Sequence, residues 1–157
     1  MIMLLLVILS VIIGIYLPKY ERFTSIVNSL TSDGSSTLLP GDYLLSSDNM
    51  YKLLYQKDGN LVIYPNYGGT AIWSSNTPGH LPGKAVMQED GNFVLYDKNN
   101  YPYWATETYG KGAAPYRMTM QKDRNLVLYS NYNNRIAALW TSNTNIPNTP
   151  NCNITNC

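Results

Sequence analysis

Apolar and polar side chains alternate with period two over three short stretches of this 157-residue chain, the mark of half-buried strands. Each stretch contains one nine-residue phrase: QKDGNLVIY at 56–64, QEDGNFVLY at 88–96 and QKDRNLVLY at 121–129. All three fit Q-x-D-x-N-x-V-x-Y and start 32 and 33 residues apart, so the phrase marks a structural repeat. Asp58-Gly59 and Asp90-Gly91 are hairpin letters. A three-residue loop, Lys57-Asp58-Gly59, with Gly59 left-handed, pairs Gln56 with Asn60, Tyr55 with Leu61, Leu54 with Val62 and Leu53 with Ile63. One face of the first hairpin is then Leu53, Tyr55, Leu61 and Ile63. The second gives Ala85, Met87, Phe93 and Leu95, and the third Met118, Met120, Leu126 and Leu128. All twelve are candidate core residues. A two-residue loop would put Gln and Asn on opposite faces and spoil both sets. In the third copy Arg124 replaces the glycine, at a cost of ~1 kcal/mol that a fold tolerates.

After each hairpin comes a turn and then a Trp strand: Ile72–Thr77, Tyr103–Thr108 and Leu139–Thr144. One indole per repeat predicts that Trp73, Trp104 and Trp140 meet as core near a common axis. A lone four-stranded sheet has one face to bury, and three such sheets bury theirs against each other. The chain is therefore read as all-β. The fold alone would demand apolar letters and accept any polar ones. Asp and Asn also favour turns without any ligand. Turn-making explains Asp and Asn but not the repeated Gln and Tyr, so the repeated polar letters argue for three copies of one binding site.

Composition and charge narrow the function. The chain carries 11 basic and 10 acidic residues, a net charge of +1. Lys19, Arg22 and Glu21 lie in the first 30 residues, which leaves nine of each sign and a neutral domain. That argues against nucleic acid as a partner. His80 is the only histidine and sits in a Pro-Gly-His-Leu-Pro loop, so no catalytic triad can be assembled around it. The Asp residues stand one per repeat, not as a pair. The reading is a protein that is no enzyme and needs no cofactor or metal.

Both ends differ from the repeats. Met1 to Leu17 holds no charge and is nearly all aliphatic, at the short limit for spanning a bilayer. No basic residue precedes it and no small-x-small cleavage pair follows, which favours a signal-anchor over a cleaved signal. Residues 1–18 are thus read as a transmembrane helix. Tyr20, Phe23, Val27 and Leu30 recur at helical spacing, so 19–36 reads as a short helical stalk ending in a Thr31–Ser36 linker. Cys152 and Cys157 lie in a tail, 147–157, and suit a disulfide with each other or with a second chain in a homo-oligomer. Asn153-Ile154-Thr155 between them is a glycosylation sequon.

The three phrases and three Trp strands resemble those of the monocot-bulb mannose-binding lectins, the B-type lectin domain. The resemblance covers about residues 37–146. It implies a β-prism II fold, three four-stranded antiparallel sheets with pseudo-threefold symmetry, and one mannose pocket per sheet. By resemblance the first site is Gln56, Asp58, Asn60, Val62 and Tyr64. The second is Gln88, Asp90, Asn92, Val94 and Tyr96, and the third Gln121, Asp123, Asn125, Val127 and Tyr129. In that family Asp and Asn hold the axial 2-hydroxyl, Gln the 3-hydroxyl and Tyr the 4-hydroxyl, with Val under the ring carbons. The expected partners are mannose-containing glycans and, through residues 1–17, a lipid bilayer.

This chain departs from the bulb proteins in three ways. It has no cysteine inside the domain, and it adds an apolar leader and a cysteine tail. A second reading follows: a membrane-anchored scaffold, for example a virion or coat component, that keeps the fold without needing sugar. Lys19 and Arg22 after the apolar run favour a cytoplasmic-facing domain or a virion membrane. The sequon, the cysteines and the sugar sites favour an extracellular or lumenal one, and that side is expected.

Overall fold

The three-residue hairpin loops close as the letters demand. In the computed structural model, which describes residues 28–34, 36–132 and 135–147, Gly59 and Gly91 have φ of 91° and 89°, and Arg124 takes the same left-handed turn at 64°. Gln56 N donates to Asn60 O at 2.8 Å, and the same bond closes the second and third hairpins at 2.9 Å. Around these loops run β4 (Tyr51–Tyr55) and β5 (Leu61–Pro65), β7 (Pro82–Met87) and β8 (Phe93–Asp97), and β10 (Arg117–Met120) and β11 (Leu126–Tyr132). The register matches the expectation: Tyr55 faces Leu61, Leu54 faces Val62 and Leu53 faces Ile63.

A fourth strand follows each hairpin: β6 (Trp73–Ser74), β9 (Pro102–Ala105) and β12 (Arg135–Thr141). The first strand of each sheet comes from the early part of the chain, as β1 (Ser29–Thr31), β2 (Thr37–Leu38) and β3 (Tyr43–Leu45). Among the described residues this makes three four-stranded sheets, ordered β1-β10-β11-β12, β2-β7-β8-β9 and β3-β4-β5-β6, with every pairing antiparallel. The early strands are laid down in one order and the hairpins fill the sheets in reverse. β1 thus closes the last sheet to be completed.

β1 corrects one expectation. Leu30, placed by its spacing on a helical stalk, lies in a strand opposite Met118 and is buried in the core. Within the expected linker, Ser32 N donates to Tyr116 O and Ser32 Oγ accepts from Tyr116 N, both at 3.0 Å. A strand wins because the β10 edge offers backbone partners and the core offers a slot for one leucine side chain. The expected membrane helix at 1–18, the rest of the stalk, and the tail with Cys152, Asn153 and Cys157 fall outside the described residues. No helix among the described residues is long and apolar enough to cross a membrane.

The inner faces of the sheets form one core. All twelve candidate core residues are at most 1% exposed. The three indoles meet edge to face, with ring centroids 5.7 to 6.0 Å apart. That is the geometry aromatic quadrupoles favour, and it places one Trp from each sheet against the other two. Under the first hairpin, Tyr103 Oη donates to Gly59 O at 2.9 Å and lies 2.8 Å from Tyr55 Oη. Burial pushes both phenol pKa values upward. His80 stacks flat on Tyr103 at 4.2 Å, so the lone histidine has a packing partner.

Candidate functional site

Side-chain alternation sends Gln, Asn, Val and Tyr of each phrase to the outer face of its sheet. The structure brings the five expected residues of each copy together there. Gln Nε2 reaches across the hairpin to Tyr Oη: Gln56 to Tyr64 at 3.2 Å, Gln88 to Tyr96 at 2.7 Å, and Gln121 to Tyr129 at 2.7 Å. The phenol oxygen is the acceptor there, so its own proton stays available outward. The Asp carboxylate closes the turn, with Asn60 N, Asn92 N and Asn125 N donating to Oδ1 of Asp58, Asp90 and Asp123 at 2.9 to 3.0 Å. The turn-forming role of Asp is therefore real, and it engages one carboxylate oxygen of the two. Val62, Val94 and Val127 are nearly buried between these polar groups.

The asparagine amides are oriented from behind. Thr77 N, Thr108 N and Thr144 N donate to Oδ1 of Asn60, Asn92 and Asn125 at 3.2 to 3.3 Å. A backbone N–H only donates, so the amide oxygen must face it, and the amide nitrogen is turned away. Ser75, Thr106 and Ser142 hydroxyls lie 2.9 to 3.1 Å from the same oxygens. The threonines in turn donate to Gly59 O, Gly91 O and Arg124 O at 2.7 to 2.9 Å. No protein group among the described residues accepts from the three Nδ2 atoms.

These hydroxyl residues are the supporting part that the sequence analysis missed. Their signal was present: W-x-[S/T]-x-T occurs after every hairpin, as Trp73 to Thr77, Trp104 to Thr108 and Trp140 to Thr144. The middle residue, Asn76, Glu107 or Asn143, is left-handed at φ 56–57°. That bend turns the hydroxyls flanking it back toward the amide.

Each copy thus offers four outward functions within one patch: a carboxylate oxygen and an amide oxygen as acceptors, an amide nitrogen and a phenol as donors. The set can hold a polyhydroxylated ligand, since each hydroxyl needs both an acceptor and a donor. A cation stands beside two of the phenols, Lys84 Nζ 5.6 Å from the Tyr96 ring and Arg117 Cζ 5.6 Å from that of Tyr129. Burial raises the Tyr129 pKa, against the lowering effect of its Gln121 bond and of Arg117. No group of three or more His, Cys, Asp or Glu side chains among the described residues could hold a metal ion.

The same architecture recurs in solved structures. A monomeric monocot mannose-binding lectin from Gastrodia elata is 34% identical, with a TM-score of 0.63, over 76% of this chain and 99% of that one. The chain belongs to the monocot mannose-binding lectin family. The mannose-specific agglutinin of snowdrop, Galanthus nivalis, solved with methyl-α-D-mannoside, is 38% identical over 66% of this chain and 89% of its own, with a TM-score of 0.57. By sequence, the B-type lectin plumieribetin of Scorpaena plumieri is 37% identical over 71 residues, 45% of this chain and 60% of that protein. The match spans 60% or less of the curated relatives' length. No protein-family model matches the chain. Two further relatives, from Aloe arborescens and Narcissus pseudonarcissus, are mannose-specific lectins.

Proposed function

We propose that this lectin domain recognises terminal mannose at three sites, one on each sheet, through the fifteen residues of the three phrases. Asp58, Asp90 and Asp123 accept from a sugar hydroxyl with the oxygen not used in the turn. Asn60, Asn92 and Asn125 donate to that hydroxyl through Nδ2. Gln and Tyr serve the neighbouring hydroxyls, and the valine methyls sit under the ring carbons. The observation that carries this reading is the threefold recurrence of an amide whose oxygen is tied to the fold and whose nitrogen is left outward. A hexose with the contacted hydroxyl in the other configuration would leave these groups poorly paired, at ~1–3 kcal/mol.

One mannose has about a dozen heavy atoms, and ~0.3 kcal/mol each gives a near-millimolar site. Three such sites on one domain gain ~10²–10⁴ on branched glycans by avidity. The full chain, presented in clusters on a glycan array, should bind high-mannose glycans and be displaced by mannose but not galactose. Asn→Asp changes at 60, 92 and 125 keep the oxygen that the fold uses and replace the outward donor. They should abolish binding and leave the melting temperature within a few degrees. Silence of the folded wild type on the array would favour the scaffold reading.

The placement of the domain belongs to the same proposal. Residues 1–17 act as a single-pass bilayer anchor and the lectin domain faces the extracellular or lumenal side, where mannose glycans occur. Cys152 and Cys157 are then oxidised, and Asn153 is open to glycosylation. Protease added to sealed vesicles should digest the domain. Full protection with both thiols open to alkylation would put it on the cytoplasmic side.

A further inference from the structure

The third sheet runs on past its phrase. β5 ends one residue after Tyr64 and β8 one residue after Tyr96, but β11 continues three residues beyond Tyr129 and pairs with a seven-residue β12. Asn131 pairs with Ile136 on this extension, one outer-face repeat, about 7 Å, beyond Tyr129. On the other side Thr31 of β1 pairs with Arg117, which pairs with Tyr129. A cavity of about 270 Å³ opens where these meet, lined among others by Thr31, Asp33, Pro115, Tyr129, Asn131 and Ile136. Tyr129 is shared between this cavity and the third site, so the two are contiguous.

The walls are of two kinds. Pro115, Ile136 and the Tyr129 ring are apolar, while Thr31, Asp33 and Asn131 carry hydroxyl, carboxylate and amide groups. That mixture suits a sugar ring, with C–H faces and hydroxyl edges, and Asp33 and Arg117 give the lining one charge of each sign, which suits an uncharged ligand. A further observation lies on β10, beside the third phrase and outside the cavity lining. Thr119, opposite Val127 on the outer face, is 3% exposed and its Oγ1 has no hydrogen-bond partner among the described residues. Leu54 and Val86 occupy the matching positions in the other sheets. A buried hydroxyl without a partner is costly, and a bound ligand's hydroxyl would satisfy it.

Building on the mannose reading, we propose that the third site is a two-subsite groove for a neutral oligomannoside. One hexose sits on Gln121, Asp123, Asn125 and Tyr129, and the next enters the cavity beyond Tyr129. The other two sheets bind one hexose each.

The test uses the full chain with Asn60→Asp and Asn92→Asp, which leaves the third site alone. Calorimetry compares methyl α-mannoside with the α1-2, α1-3, α1-4 and α1-6 linked mannobiosides. At least one mannobioside should bind about tenfold tighter or more, the gain of one to two net hydrogen bonds with a buried apolar contact. Asp33→Ala and Ile136→Ala, both surface changes, should bring the ratio of the two affinities back toward one. Equal affinity for monosaccharide and all four mannobiosides would overturn the two-subsite groove while leaving the mannose reading intact. A ratio unmoved by both substitutions would overturn it as well. No binding of methyl α-mannoside at all would remove the mannose reading and this inference with it.

Discussion

The third repeat and the first two share a phrase but not a surrounding. Behind all three asparagines stands the same hydroxyl network, yet Asn125 Oδ1 also receives Thr141 Oγ1 at 2.8 Å. The residue matching Thr141 is Ser74 in the first sheet, whose hydroxyl bonds Asn76 instead, and Ala105 in the second. Gln121 and Tyr129 are 5% and 6% exposed, while Gln56, Gln88, Tyr64 and Tyr96 are only half-buried. The glycines differ too. A Cβ on Gly59 would stand 2.9 Å from His80 Cβ, and one on Gly91 would stand 2.8 Å from the Tyr116 ring. Arg124 occupies the matching turn and its Nε donates to Thr144 O at 2.7 Å. The lesson is that a repeated phrase builds repeated bonds, while the segments that pass over it decide how enclosed each copy becomes.

The sharpest way to break the comparison is to attack what the repeats share. Trp104→Ala empties volume at the meeting point of all three sheets and should cost ~3–5 kcal/mol in urea unfolding, with all parts melting together. A variant in which the second sheet alone loosens would show that the core is not common. Next in size, Gly59→Arg imposes the third repeat's letter on the first. Contact with His80 and a left-handed non-glycine residue should destabilise by about 2–4 kcal/mol. The reverse change, Arg124→Gly, relieves strain and loses one bond, so its effect should stay within about 1 kcal/mol.

Between these lie the asparagines. Asn60→Ala and Asn125→Ala each strip the acceptor from half-buried or buried donors, at ~1–3 kcal/mol, and Asn125→Ala should be the costlier because three donors converge there rather than two. Equal losses in thermal melts would mean that the Thr141 bond contributes nothing. The smallest effect is in alkali. The folded pKa of Tyr129 lies above the ordinary value of about 10. Its share of stability is therefore full below about pH 10 and is lost as pH rises through the folded pKa. Spectrophotometric titration of wild type against Tyr129→Phe should show the missing phenol among the late-titrating ones.

The outward half of each site was legible in the sequence, because period-two alternation and a glycine turn fix which letters face out. The inward half was not. Ser75, Thr106 and Ser142 read as ordinary turn residues until the fourth strand is seen beside the hairpin, fourteen to seventeen residues away from the asparagine it holds. Leu30 was misplaced for a related reason. Four apolar residues at helical spacing favour a helix locally, and only the open edge of β10, almost ninety residues on, makes Leu30 a strand residue.

By itself, then, the sequence determined the hairpins, their register, the twelve core side chains and the three patches of outward polar groups, since all of these follow from contacts within about ten residues. Tertiary structure decided which early strand closes which sheet, how each asparagine is oriented, and that β1, Pro115 and the long β11–β12 hairpin form a cavity beside Tyr129 of the third phrase. Those features depend on backbone edges and side chains far apart in the chain, whose partners no local pattern names.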